Sequence, residues 1–210
     1  MEETIIAQRI EKADALRARG QNPFANDFRV TDLAAAVHAA HEGADEAALA
    51  PVQVAYAGRV MAVRSFGKVV FLAVDDRSGR LQANLFQQSL PAEDWALLEL
   101  LDVGDIVGIT GSLMRTRKGE LSVKAERLRI LTKSLRPLPE KWHGLTDVAT
   151  RYRQRYLDLV GNPEVRDLFR TRSRIVSYIR RFFEARDYLE VETPILQPLY
   201  GGAAARPFVT

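Results

Sequence analysis

Four residues in the middle of the chain carry side chains that can recognise an unpaired nucleic acid base. They are Arg64, Phe71, Gln82 and Glu120. An exposed aromatic ring stacks on a base for about 1–3 kcal/mol. A glutamine amide both donates and accepts hydrogen bonds, and a carboxylate accepts from an imino or amino N–H. Because uracil presents one N–H donor between two carbonyl acceptors, glutamine, glutamate and arginine together suit it chemically.

The same four residues also fit a plainer interpretation. Phe71 then fills a hydrophobic core, and the three polar residues are ordinary surface side chains. Taken separately, each residue favours this second interpretation, so the pattern alone leaves the choice open.

A second candidate site lies near the end of the sequence, where residues 201–208 combine two glycines, three alanines and an arginine. Small residues let the backbone approach a small ligand, and arginine supplies a fixed cation. The plainer interpretation is a tight turn followed by a strand. Just before it, residues 188–191 are predicted to form a strand that ends at Thr193-Pro194, because proline has no N–H and restricts the residue before it. Pro194 therefore marks an edge or an interface.

Motifs for several other chemistries are absent from the sequence. It contains no Walker-type glycine-rich loop, no Gly-x-Ser-x-Gly elbow and no His-Glu-x-x-His. Without cysteine there is no disulfide framework and no thiolate zinc site, and His38, His41 and His143 form no compact group. We therefore expect no metal site in this segment.

Size and composition predict a folded protein. With 210 residues, 47% of them hydrophobic, the chain has enough material for one large or two small domains. The net charge of +3 includes no polybasic tail that would by itself indicate nucleic acid binding. No apolar run approaches the roughly 20 residues that cross a bilayer, and the acidic start does not resemble a signal peptide. We expect a cytoplasmic protein without a membrane partner.

The four base-recognition candidates lie in a region of short β-type runs between Val52 and Leu131. Turn signals separate the runs, and residues 91–101 are predicted to form a helix between the third and fourth strands. Five strands with this helix are typical of an OB-fold barrel, whose surface commonly binds single-stranded nucleic acid. Small barrels that bind nothing fit the strand count equally well. The predicted strands span residues 56–63, 68–74, 81–86, 106–114 and 121–131.

Helices are predicted on both sides of the barrel. Residues 4–19 carry apolar side chains at helical spacing and end at Gly20 and Pro23, and residues 31–50 fit a second helix or helical turn. A proline-bearing connector at 135–139 follows the barrel, and residues 149–160 fit another helix.

The longest predicted helix begins after Gly161-Asn162-Pro163, which supplies a stop, an N-cap and a proline at the first helical position. Its wide apolar stripe requires a partner, either the rest of this domain or a second subunit. The stripe consists of Val165, Leu168, Phe169, Ile175, Val176, Ile179, Phe182 and Phe183.

Together these elements predict an α+β, mainly β chain in which a five-stranded OB-fold barrel follows an N-terminal helix. We assign residues 1–51 to an N-terminal helical extension, 52–133 to the barrel, 134–148 to a linker, and 149–210 to the start of a further domain.

Six segments, read in order, resemble the N-terminal part of bacterial-type class II lysyl-tRNA synthetases. The related aspartyl and asparaginyl synthetases share the barrel and the Arg-Tyr-Leu-Asp run, but their loop after the Thr-Pro strand usually differs from the one at 201–208. The segments are Gly104-Asp-Ile-Val-Gly, Lys118-Gly-Glu-Leu-Ser-Val, Leu135-Arg-Pro-Leu-Pro-Glu-Lys-Trp-His-Gly-Leu, Arg151-Tyr-Arg-Gln-Arg-Tyr-Leu-Asp-Leu, Val191-Glu-Thr-Pro and Gly201-Gly-Ala-Ala-Ala-Arg-Pro-Phe.

The resemblance assigns a role to each candidate site. It implies that the barrel is the anticodon-binding domain for tRNA-Lys, in which Phe71 matches the stacking aromatic and Arg64, Gln82 and Glu120 match residues that recognise the U-rich anticodon. Gly202 matches the loop that borders the pocket for the substrate lysine. The long helix and the strand into Pro194 resemble the first class II signature, which builds a homodimer interface, so Phe182, Phe183 and Pro194 are expected at that interface.

The resemblance also implies a ligase that uses ATP and Mg²⁺ to form lysyl-adenylate and then charges tRNA. Because the second and third signatures of the family lie beyond residue 210, we expect no catalytic residues in this chain and no lysine activation by it alone. Three alternatives are a stand-alone tRNA-binding module without catalysis, a sibling aspartyl- or asparaginyl-tRNA synthetase, and a lysyl-phosphatidylglycerol-forming relative. The third lacks support because the sequence has no membrane-spanning segment.

Overall fold

A computed structural model describes residues 2–139 and 145–194 of the chain. The chain divides into two compact units, Met1–Leu138 and Pro139–Thr210. His143 and the whole segment 201–208 lie outside the described residues.

Five strands form a closed barrel in the first unit, in the spatial order β1-β2-β3-β5-β4. Each of the five predicted strands is present, and the predicted OB-fold barrel is confirmed. The strands are β1 Gln53–Phe66, β2 Val69–Asp75, β3 Arg80–Phe86, β4 Ile106–Arg115 and β5 Leu121–Thr132.

Alternation along the strands separates the core from the outer surface. In β2, Val70, Leu72 and Val74 are buried, whereas Phe71 and Ala73 between them point outward and remain partly exposed. β1 is long enough to pair with both β4 and β2, and a bulge between residues 60 and 62 bends it from one partner to the other. The barrel closes through a short parallel ladder between β3 and β5.

Gly111 of β4 is required by close packing of two strands. A Cβ at this position would overlap the backbone carbonyl of Lys124 in β5, where the β4–β5 ladder shifts register. We expect Gly111→Ala to lower the free energy of unfolding by about 1–3 kcal/mol or more, because a backbone atom has to move. Urea unfolding checks this, with Gly79→Ala as the matched control because a Cβ there meets nothing within 4 Å. Equal midpoints for the two variants would contradict it.

The N-terminal extension of the first unit is helical, with two differences from the sequence prediction. α1 spans Glu2–Ala18 and ends before Gly20 as predicted, but Ile10 is exposed and Arg9 is buried in its place. The predicted helix over residues 31–50 is two short helices, α2 Ala34–His41 and α3 Glu46–Leu49. The break follows from Asp45, whose carboxylate caps the N-terminus of α3 by accepting from the N–H of Ala48 at 2.9 Å.

The helix between the third and fourth strands is a single turn, α4 Ala92–Trp95, continued by a 3₁₀ turn, Ala96–Glu99. Asp94 of α4 is buried and accepts from the Arg127 guanidinium at 2.8 Å and from the N–H of Leu128 at 2.9 Å. These bonds attach the turn to β5, and Leu97 from the 3₁₀ turn enters the barrel core.

A buried ionic cluster lies beside these turns. The ammonium of Lys133 donates to Asp102 at 2.7 Å, to Asp105 at 2.6 Å and to the carbonyl of Leu100 at 2.6 Å. α1 joins the cluster through Lys12, whose ammonium lies 2.6 Å from the Asp102 carboxylate.

Arg9 also attaches α1 to the last residues of the first unit. Its guanidinium donates to the carbonyl oxygens of Val103, Ser134 and Arg136 at 3.2, 2.6 and 3.1 Å. These long-range bonds explain why an arginine is buried on α1.

The second unit consists of α5 Val148–Arg153, α6 Arg155–Gly161 and α7 Pro163–Glu184. The single helix predicted over residues 149–160 is thus broken at Gln154, whose φ of −115° and ψ of 58° are not helical. Asn162 precedes Pro163 as predicted but does not cap α7. Instead its side-chain amide donates to Asp158 at 2.6 Å and to the carbonyl of Leu145 at 3.4 Å.

Asp158 holds the junction of α6 and α7 together. Its buried carboxylate accepts from Arg151 at 2.8 Å, and from Arg155 and Asn162. Burial opposes the charged form, but the hydrogen bonds and the two guanidinium charges outweigh it and lower the pKa of Asp158 below its usual value.

The strand predicted at residues 188–191 is wrong. After α7 the chain makes a turn in which Asp187 has a φ of 62°, and the described residues up to Pro194 continue without strand pairing. Backbone groups of a strand need a neighbouring strand, and in the described part of the second unit every element is a helix. The described residues of this segment therefore belong to no strand.

Candidate nucleic-acid interface

The strand register brings Arg64, Phe71 and Asn84 into one row on the outside of the barrel. Arg64 is opposite Phe71 in the β1–β2 ladder, and Phe71 is opposite Asn84 in the β2–β3 ladder. Residues directly opposite each other share a face of the sheet. Gln82 lies in the next row, opposite Ser122 of β5. We call the outward side chains of these five residues the Phe71 face.

The position of Phe71 excludes one of its two sequence interpretations. Its ring is on the outer side of β2, so it does not fill the barrel core. It is half-buried among its neighbours, and its ring meets that of Phe66 edge to face, with centroids 5.9 Å apart and an angle of 76°. A ring supported at its edge keeps one orientation and leaves a face for a stacking partner.

A hydrogen-bond network fixes the amide of Gln82. Its side-chain N–H₂ donates to Asn84 Oδ1 and to Ser122 Oγ, each at 3.1 Å. The Asn84 amide in turn donates to Met114 Sδ at 3.6 Å. Both donors of Gln82 are thus used, and no described residue donates to its carbonyl oxygen. The oxygen can accept from a ligand.

Glu120 lies at the end of the β4–β5 turn, beside the Phe71 face. Its backbone is fixed by two bonds with Thr116, at 3.0 and 3.1 Å, and Ser122 Oγ donates to its carbonyl at 3.3 Å. Gly119, with a φ of 83°, makes the tight turn possible. The carboxylate is exposed and bonds to no described residue.

Basic side chains around this end of the barrel have no acidic partner among the described residues. They come from β1, from the β1–β2 and β4–β5 turns, and from β5. Those two turns and the β2–β3 surface are the usual nucleic acid contacts of OB folds. The five residues are Arg64, Lys68, Arg117, Lys118 and Lys124.

Several basic residues elsewhere on the barrel are paired with carboxylates. Arg80 contacts Asp75 at 2.6 Å, and Arg129 contacts Asp27 at 2.9 Å. Although the net charge of the chain is small, cations without described partners are therefore concentrated where the aromatic rings are exposed. This combination of stacking rings and basic groups is typical of single-stranded nucleic acid binding.

The sequence interpretation found four residues of this region and missed three. Phe66, Asn84 and Ser122 are not among the residues that the sequence pattern predicts. Asn84 and Ser122 are almost fully buried despite lying on the outer side. The i, i+2 spacing of Gln82 and Asn84 on a predicted strand was the signal that could have identified Asn84.

Comparison with known proteins matches both units. A family model described as OB-fold nucleic acid binding domain matches residues 54–131, and one described as tRNA synthetases class II (D, K and N) matches residues 147–210. A lysine–tRNA ligase of Anaeromyxobacter dehalogenans is 55% identical over all of this chain. Those of Magnetococcus marinus and Moorella thermoacetica are 51% identical over 98% and 49% identical over 100% of it.

Along its whole length the chain is similar to class II lysyl-tRNA synthetases. It spans about 42% of the length of the relatives it matches. The family resemblance seen in the sequence is thereby confirmed.

The other site residues expected from this synthetase family lie in the second unit. Phe182 and Phe183 are 38% and 46% exposed on α7, on the apolar stripe that the sequence predicts. Pro194 is the last described residue of this unit, and Gly202 lies outside the described residues. Within the described residues, no group of three or more histidine or carboxylate side chains could hold a metal ion, and no helix is long and apolar enough to cross a membrane.

Proposed function

We propose that the barrel of this synthetase-family chain binds the anticodon of tRNA-Lys through the Phe71 face. The observation that carries the proposal is the preorganised Gln82 carbonyl oxygen beside a partly exposed aromatic ring. The relatives' printed name, lysine–tRNA ligase, supports the choice of tRNA. The partnerless cations at the same end of the barrel support an RNA ligand through attraction to phosphates.

Each residue of the site has a separate role in the proposed complex. Phe71 stacks on one base of the anticodon. The Gln82 carbonyl accepts from the imino N–H of a uracil, and the Arg64 guanidinium donates to a carbonyl of uracil or to a phosphate. Glu120, exposed beside the same face, accepts from an N–H of a neighbouring base.

We further propose that the whole protein activates lysine with ATP and Mg²⁺ and transfers it to tRNA-Lys in the cytoplasm. The described residues offer no donor set for the metal, so no catalytic step is assigned to them. We expect residues 1–210 alone to release no pyrophosphate from ATP in the presence of lysine. Gly202 is proposed to border the lysine pocket.

A second copy of the chain is the proposed partner of α7. Leu168, Ile175 and Ile179 are 66%, 54% and 49% exposed, and they continue the stripe of Phe182 and Phe183. Contiguous apolar surface of this kind on a soluble helix generally marks an interface. Pro194 is proposed to lie at the same homodimer interface.

The anticodon proposal is tested by fluorescence anisotropy of this chain with a labelled stem-loop carrying UUU, against the same loop carrying GUC, over a salt series. We expect tighter binding to UUU at every salt concentration, because base recognition adds to phosphate attraction. The slope of log affinity against log salt should be the same for both loops. Equal affinities with a steep salt dependence would mean phosphate attraction alone and would remove the assignment of all four residues.

A further inference from the structure

A shallow groove of about 570 Å³ adjoins the Phe71 face at the β1–β2 turn. Its lining contains two apolar side chains, one cation and two amides. Phe66, at the end of β1, is 66% exposed beside it. The lining residues are Lys68, Val69, Phe86, Gln87 and Gln88.

The strand register connects this groove to the Phe71 face. Phe66 is opposite Val69, and Val69 is opposite Phe86, in the same ladders that pair Arg64, Phe71 and Asn84. The two rows are two residues apart, so both point outward, and they are separated by about 7 Å along the strands. That separation is close to the distance between successive nucleotides of an extended single strand.

The side chains in and around the groove are available to a ligand. No described residue bonds to the Lys68 ammonium or to the side-chain amides of Gln87 and Gln88, whereas the backbone around them is fixed by a bond from the N–H of Gln87 to the carbonyl of Lys68 at 3.0 Å. Gly67, with a φ of 62°, makes the turn that exposes Lys68. An exposed ring beside a cation is suited to a base and its phosphate.

We propose that Phe66 and this groove form a second base-stacking subsite, which takes the nucleotide next to the one stacked on Phe71. The inference rests on the proposed function of the Phe71 face. The rings of Phe66 and Phe71 are nearly perpendicular, so a single base cannot lie flat on both. Phe66 therefore receives a base turned out of the stack, and Lys68 contacts the phosphate that joins the two nucleotides. Stacking on the Phe66 ring is open to any base, because every base has a π-face.

The test combines protein variants with a scan of abasic sites. The UUU stem-loop is prepared with one abasic nucleotide at a time, through the triplet and the residue on each side. Anisotropy then compares the unmodified chain with Phe66→Leu and Phe71→Leu. Each ring variant should bind the intact loop about 5- to 150-fold more weakly than the unmodified chain does. One abasic position, that of the base which stacks on the removed ring, should cause no further loss of affinity in that variant. We expect the abasic position without effect in Phe66→Leu to be next to the one without effect in Phe71→Leu.

Phe24→Leu is the control, because Phe24 is 44% exposed but pairs with Thr132 at the far end of β5. It should bind every loop like the unmodified chain. Lys68→Gln should weaken all loops alike and reduce the salt slope by about 0.7. If Phe66→Leu binds normally, or if the same abasic position is without effect in Phe66→Leu and in Phe71→Leu, the second subsite is wrong while the Phe71 assignment stands. If Phe71→Leu also binds normally, the proposed function itself fails.

Discussion

Phe71→Ala is expected to weaken binding of the UUU stem-loop by about 5- to 150-fold and to remove most of the preference for UUU over GUC. The ring supplies stacking energy of about 1–3 kcal/mol for one base. It also places that base within reach of the Gln82 carbonyl, so discrimination falls together with affinity. Because stacking is not electrostatic, the salt slope should stay unchanged. Anisotropy titrations of both loops at several salt concentrations measure all three quantities.

The position of Phe71 makes this a test of binding rather than of folding. Its ring lies outside the barrel core, in which β2 contributes Val70, Leu72 and Val74. A circular dichroism melt should therefore show a folded variant. Phe24→Ala removes a more exposed ring far from the site and should bind normally. A folded Phe71→Ala that retains full affinity and preference would exclude stacking on this ring.

Gln82→Glu separates recognition by hydrogen bonding from stacking. The variant keeps the shape of the side chain but loses both donors, so Asn84 Oδ1 and Ser122 Oγ would no longer hold it. We expect UUU affinity to fall by about 5-fold or more while stacking persists, because the side chain loses the two bonds that orient its accepting oxygen towards the base and the carboxylate repels phosphate. The same titrations check this; a ratio of UUU to GUC affinity that does not change would contradict it.

Local pattern was enough to predict the barrel strands but not the way they close. Alternating residues such as Val70, Leu72 and Val74 indicate strands and their inner face within a few residues of sequence. The parallel contact of Gln82 with Ser122 joins residues 40 positions apart and has no local signal. That contact is what brings Glu120 and Gln82 to one face, which the spacing of the two residues does not indicate.

Tertiary contacts also explain the sequence predictions that were wrong or incomplete. Arg9 is buried because distant backbone carbonyls accept from it, which helical periodicity cannot indicate. Asn162 stands at the predicted cap position, but the buried Asp158 carboxylate takes its amide. In each case a buried polar group that needed a partner outweighed a local preference.

The ionic cluster beneath the barrel joins segments that are distant in sequence. Asp105 has no exposed side-chain surface, and it accepts from the N–H groups of Asp102 and Ser134 at 2.8 and 2.7 Å besides the Lys133 ammonium. Burial alone would raise the pKa of Asp102, but hydrogen bonds from Lys12 and Lys133 outweigh it and lower that pKa. The contribution of Asp102 to stability is therefore complete above the ordinary carboxyl pKa of about 4 and is lost as the pH falls through the lowered value.

Lys133→Met is expected to lower the free energy of unfolding by about 3–5 kcal/mol at pH 7, because it leaves the buried Asp105 carboxylate without its cation. Urea unfolding followed by the β-sheet circular dichroism signal measures the change. Lys124→Met, at an exposed lysine of the preceding strand β5, is the matched control and should change stability by at most about 0.5 kcal/mol. Adding Asp105→Asn to Lys133→Met removes the stranded charge and should recover part of the loss. If Lys133→Met unfolds at the same urea concentration as Lys124→Met, the cluster does not stabilise the barrel.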